Sequence, residues 1–147
     1  MENKLRLDLG VDKIIESFEV RSVLEGNAAF RAALTKPDTQ KLEEYVKLMD
    51  HCADGREFLD FNLKFQKVLF RLSDATTHAE LVEILWNRIP LENVATTQED
   101  RLRINDEHKA IVEALKDADA NRSELVAKQH VLHVMADCVD HIYEIKQ

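Results

Sequence analysis

The sequence predicts an all-α protein, an antiparallel bundle of about six to seven helices. Three observations carry that expectation. Apolar residues recur at helical spacing in almost every stretch, no stretch alternates as a strand would, and Gly and Pro, at 3 and 2 in 147 residues, are too scarce for a turn-rich β fold. A chain of this length builds one hydrophobic core more readily than two, so residues 11–147 are expected to form a single bundle domain behind an N-terminal extension over residues 1–10.

The helices follow in order. From Val11 to about Leu34, the residues Val11, Ile14, Ile15, Phe18, Ser22, Ala29 and Ala33 keep to one face, and Pro37 forces a boundary. Thr35 and Asp38 bracket a cap for a second stripe, Leu42, Tyr45, Val46, Met49 and Cys52, ending near Gly55. The third helix contains FLDFNLKFQKVLFRL, residues 58–72, whose Phe58, Phe61, Phe65, Leu69 and Leu72 face the core. Thr77 with Glu80 reads as a capping box ahead of Leu81, Ile84, Leu85 and Ile89, and Pro90 closes that helix. After a loop through Ala95 and Thr96, Thr97 caps a fifth helix with Ile104, His108, Ile111, Val112 and Leu115 on one face, before a polar break over residues 117–121. The last helix runs from about Ser123 almost to the end. Its apolar arc, Val126, Val131, Val134, Met135, Cys138, Val139 and Ile142, is wide enough for burial on two sides, in the core and against a second subunit.

Composition excludes several function classes. The net charge is −8 and no cluster of Lys and Arg supplies the basic footprint that a phosphate backbone requires, so direct nucleic-acid binding is not expected. Cys52 and Cys138 read as reduced core residues of a cytoplasmic protein. Neither a signal peptide nor a run of about 18 apolar residues is present, so no membrane association is expected. No Gly-rich phosphate loop, GxSxG elbow, HExxH motif or thiol beside an obvious base occurs, and the chain is not expected to be an enzyme.

Polar residues on apolar helix faces are the candidate functional groups. Asn62 and Gln66 lie on the core side of the third helix, where an unpaired carboxamide costs a few kcal/mol, on the order of 2–7. Arg21 and Glu25 are spaced for an i, i+4 contact on the face of Ile14 and Phe18, which suits either a structural ion pair or an anchor for a carboxylate ligand. His108 points inward from the fifth helix, as a core histidine satisfied by a carbonyl or as a ligand-binding group. His130 lies at the border of the last helix's apolar arc. His133, Asp137 and His141 share its side and read as a solvated face, with His51 and His78 on the surface or in loops.

The stretch FEVRSVLEGNAAFRAA, through Arg21, Leu24, Glu25, Ala28 and Ala29, resembles the opening helix of the ligand-binding C-terminal (FCD) domain of FadR-type regulators in the GntR superfamily. NDEHKAIVEALKDAD is similar to the same family's Glu-His segment, carried by Glu107, His108, Ile111, Ala114, Leu115 and Asp119, and the family's closing His falls on His130. The resemblance runs in order from about Val11 to His133. It implies a dimerising helical bundle that holds a small organic acid in a central cavity and serves transcription regulation through an N-terminal winged-helix domain, which this sequence lacks. Family members commonly hold a divalent metal through an Asp, a His one turn later and two more His. Here those positions fall on Asn62, Gln66, His108 and His130, two of them neutral amides that are poor ligands for Zn and its neighbours.

The expectation is therefore an effector-sensing, dimerising domain. It has no required cofactor, and its ligand-binding residues are Arg21, Asn62, Gln66, His108 and His130. Zn, Ni or Mn is confined to a weak site at His108 and His130. A structural dimer with a degenerate pocket, modulating full-length regulators, is the alternative. A metal-dependent enzyme is a third reading, and it requires bound metal.

Overall fold

The computed structural model describes residues 10–146; the expected N-terminal extension lies outside these residues except for Gly10. Among the described residues six α-helices follow one another: α1 Gly10–Leu34, α2 Gln40–Asp50, α3 Gly55–Ser73, α4 Thr76–Trp86, α5 Gln98–Lys116 and α6 Ala120–Lys146, with a 3₁₀ turn at Leu91–Asn93 between α4 and α5. Among the described residues there is no strand, and the bundle is all-α.

The long helices α1 and α6 pack against each other along much of their length. Gly26 allows the close approach, since a Cβ there would run into the Lys128 side chain and come within 3.3 Å of the Glu124 carbonyl oxygen. Phe18, Phe58, Phe65, Leu42, Ile104, Leu115 and Val131 are almost fully buried and join all the long helices in one core. The wide arc of α6 is consumed inside this bundle. Val131, Val134 and Cys138 are buried, and Val126, Met135 and Ile142 pack against the same core.

Local chemistry fixes the helix ends. The Asp54 carboxylate accepts from the Glu57 N–H at 2.9 Å and caps α3, so α2 stops at Asp50 and does not reach Gly55. Thr97 caps α5 as the sequence predicts, its hydroxyl accepting from the Asp100 N–H at 3.0 Å. Thr35 does not cap α2: its hydroxyl donates back to the Ala32 carbonyl oxygen at the end of α1, while Asp38 accepts from the Gln40 N–H.

α4 departs most from expectation. It starts at Thr76 without a side-chain cap and ends at Trp86, and Leu81 and Ile84 face outward at 46% and 55% exposure. Its inward residues are Val82, the one fully buried side chain in the helix, with Ala79 and Trp86. They pack on Leu24, Ala28, Phe70 and Ala75 in a small cluster beside the main core. This is the least anchored helix of the bundle, and it covers the polar residues described next.

Candidate functional site

Four helices bring the polar intruders together. Arg21 of α1, Asn62 of α3, Trp86 of α4 and His130 of α6 line one small void, along with Phe18, Phe58 and other apolar side chains. The void measures about 10 Å³, the space one water needs. His108 of α5 lies behind His130, the two rings meeting edge to face with centroids 4.7 Å apart, and Phe65 lies 4.6 Å from the His108 ring. Gln66 is buried as expected but lines an outer groove between α3 and α4 and not the void.

Arg21 is tied to its own helix. Its Nε donates to Glu25 Oε2 at 2.8 Å, both side chains are almost fully buried, and its guanidinium stacks on the Trp86 indole at 4.5 Å. The i, i+4 spacing thus produces a buried ion pair on the wall of the void.

The imidazoles are held in defined tautomers. Asn105 Nδ2 donates to the Val46 carbonyl oxygen and to Asp50 Oδ1, so Asn105 Oδ1 is its acceptor and takes the Nδ1–H of His108 at 3.2 Å. His108 Nε2 is then a bare lone pair in the interior, with no protein partner. Burial, and secondarily the charge of His130, pushes the His108 pKa well below the usual histidine value, so the ring is neutral. His130 Nδ1 donates to Glu107 Oε1 at 2.7 Å, and the exposed His133 takes the other carboxylate oxygen. Burial alone would raise the Glu107 pKa, but the hydrogen bonds and charges of His130 and His133 outweigh it and hold the carboxyl below its ordinary value.

Among the described residues, four buried polar atoms lack a hydrogen-bond partner: Asn62 Oδ1, Gln66 Oε1, Trp86 Nε1 and His108 Nε2. Buried polar atoms are normally paired, and each unpaired one costs about 1–3 kcal/mol. Asn62 and Trp86 line the void, Gln66 and Trp86 line the adjoining groove, and His108 lies behind His130. A model of the FCD domain family matches residues 16–133.

The chain belongs to the FCD domain family. FCD domains are the effector-binding domains of GntR-family transcription regulators. No curated protein matches the chain. The family's metal positions allow a test of fit. His108 and His130 each anchor Nδ1–H on a neighbour, the arrangement that presents Nε2 to a metal. The remaining two positions, however, are the neutral Asn62 and Gln66, and Gln66 belongs to the groove. Zinc-type ions need three or four imidazole, thiolate or carboxylate donors, so this donor set does not fit a tightly held Zn, Ni or Mn.

Sequence reasoning missed two participants. Trp86 was hidden because the apolar stripe of α4 was read through Leu81 and Ile84, which face outward. Asn105 carried a usable signal, three residues before His108 on the same helix. The other histidines stand outside the void: His141 bonds Asn93, His78 bonds Asn27, and His51 is exposed. Asp137 pairs with Arg103.

Proposed function

We propose that this chain is the effector-sensing and dimerising domain of a cytoplasmic transcription regulator of the FadR type, binding a small organic acid without a resident metal and without catalysis. The unpaired buried atoms at the void, Asn62 Oδ1 and Trp86 Nε1, with His108 Nε2 behind His130, carry this reading. Together they cost several kcal/mol, against a total stability of about 5–15 kcal/mol for a domain, and a ligand that pairs them returns that energy. Asn62 Oδ1 and the His108 Nε2 lone pair accept from hydroxyl or N–H groups of the acid, Trp86 Nε1–H donates, His130 offers a polar edge, and Arg21 supplies the cationic donors for the carboxylate.

A void of about 10 Å³ does not hold an organic acid, so entry requires Trp86 and α4 to move. α4 has one fully buried residue and is the element that yields at least cost. Its displacement is the signal a DNA-binding domain would read.

Dimerisation uses α1 and α4 in this reading, since the arc of α6 is already buried within the chain. Val20, Val23 and Leu34 on α1 and Leu81 and Ile84 on α4 are exposed, and the His78 to Asn27 hydrogen bond at 3.0 Å ties the two helices together. Sedimentation of the wild type and of Val23→Glu/Ile84→Glu tests it: a dimer converted to monomer is expected, and no change in mass rules out this face.

The smallness of the void favours a second reading, a structural dimer that modulates full-length regulators. Melting the protein with a panel of small organic acids separates the two. Saturation at a hundred times Kd adds about 2.7 kcal/mol, a rise of about 5–10 °C for a domain of this size. A flat response across the panel refutes sensing, and one equivalent of bound metal after purification refutes the metal-free form of the proposal.

A further inference from the structure

A groove of about 490 Å³ runs between α3 and α4, with Leu63 and Phe70 from one helix, Ala79 and Val82 from the other, and Trp86 and Leu91 in its lining. Its volume falls within the roughly 300–1,000 Å³ of small-molecule sites, whereas the interior void holds one water. Two of the unpaired buried atoms, Gln66 Oε1 and Trp86 Nε1, belong to residues of this lining, and Gln66 is only 4% exposed. One atom accepts a hydrogen bond and the other donates one. The charged residues of the lining cancel, Lys67 and Arg71 against Asp74 and Glu83, so the groove selects neither anion nor cation.

We propose that this groove is a second ligand site, for an uncharged molecule with an apolar body and an amide group. The apolar body lies against Leu63, Phe70 and Val82. Both atoms are fully buried, so a turn of the two side chains on binding brings the ligand amide N–H to Gln66 Oε1 and its carbonyl oxygen to Trp86 Nε1–H. Trp86 also lines the interior void and stacks on Arg21, so an occupant of the groove acts on the acid-binding interior through one side chain. The site shares only Trp86 with the acid reading and uses neither Arg21, Asn62 nor the imidazoles, so the acid reading can fail and leave the groove intact.

Trp86 is the single tryptophan of the chain and lines both the groove and the interior void, so its emission reports on either, and substitutions confined to the groove assign a change to the groove. Octanamide, octanoate and octylamine, matched in chain length and differing in charge, are titrated at fixed pH below their aggregation concentrations. Octanamide is expected to give a saturable change, with the two charged probes at least fivefold weaker. Gln66→Leu, which keeps the side-chain volume, and Leu63→Glu, at a part-exposed position, are each expected to weaken octanamide about fivefold to tenfold. Urea midpoints identify any variant that is not folded. Three outcomes overturn the proposal: no saturable change with octanamide, equal binding of octanoate that Gln66→Leu weakens to the same degree, or wild-type affinity for octanamide in both folded variants.

Discussion

Replacing Arg21 with methionine asks how far the wall of the void depends on its ion pair. The substitution leaves the Glu25 carboxylate at 2% exposure without its cation. Removing one partner of a buried pair costs about 3–5 kcal/mol. Proton uptake sets a ceiling, because neutralising an ordinary carboxyl group, which titrates near 4.3 in water, costs about 3.7 kcal/mol at pH 7. The expected loss is therefore about 3–4 kcal/mol at pH 7, shrinking by about 1.4 kcal/mol per pH unit as the solution is acidified toward pH 5. Arg21→Met/Glu25→Leu removes both charges and should recover to within about 1 kcal/mol of wild type, since an apolar pair of similar volume replaces a buried ion pair without loss. Urea unfolding followed by far-ultraviolet circular dichroism at pH 7, 6 and 5 measures all three proteins. A single-variant loss below about 1 kcal/mol at pH 7, or one that does not shrink in acid, refutes the reasoning.

Other consequences follow from the same contacts. The depressed pKa of His108 means that the unfolded chain binds a proton the native state refuses. Its contribution is complete above the unfolded value of 6.5 and is lost below it, by up to about 2 kcal/mol between pH 6.5 and pH 5. His108→Gln should flatten that part of the stability curve, and an unchanged slope refutes the assignment. Asn62→Leu removes an unpaired buried amide and should stabilise the ligand-free protein by about 1 kcal/mol in urea while abolishing the thermal response to the active acid. A response equal to wild type excludes Asn62 from the site. Ala118, at φ 52° beyond the end of α5, sits where glycine is favoured, and Ala118→Gly should raise stability by about 1 kcal/mol.

Much of the bundle was legible because spacing and caps agreed. α1 and α5 each combine an apolar stripe with a boundary signal, Pro37 or Thr97, and the observed helices follow them closely, while the Asp54 cap that starts α3 at Gly55 was missed. α4 was misread for a physical reason. Leu81 and Ile84 satisfy helical spacing, but spacing does not say which side of a helix meets the core, and on a thinly packed helix the outward side carries leucine and isoleucine as well. The polar residues were legible as intruders, since Asn62, Gln66 and His108 break otherwise apolar faces. Their division was not. Whether Gln66 meets the interior or the outer groove depends on where α4 crosses α3, a tertiary fact that no local pattern encodes. The i, i+4 spacing of Arg21 and Glu25 announced their contact, while the stacking of Trp86 on Arg21 joins residues 65 positions apart and left no local trace.

The most direct test is the nitrogen resonance of the His108 ring, recorded with and without the acid that raises the melting temperature most. The account expects a neutral ring with the proton on Nδ1 between pH 5.5 and pH 8, and a bare Nε2 whose signal moves when that acid saturates the protein. A ring that titrates near 6.5, or an Nε2 signal indifferent to a bound, stabilising acid, would contradict it.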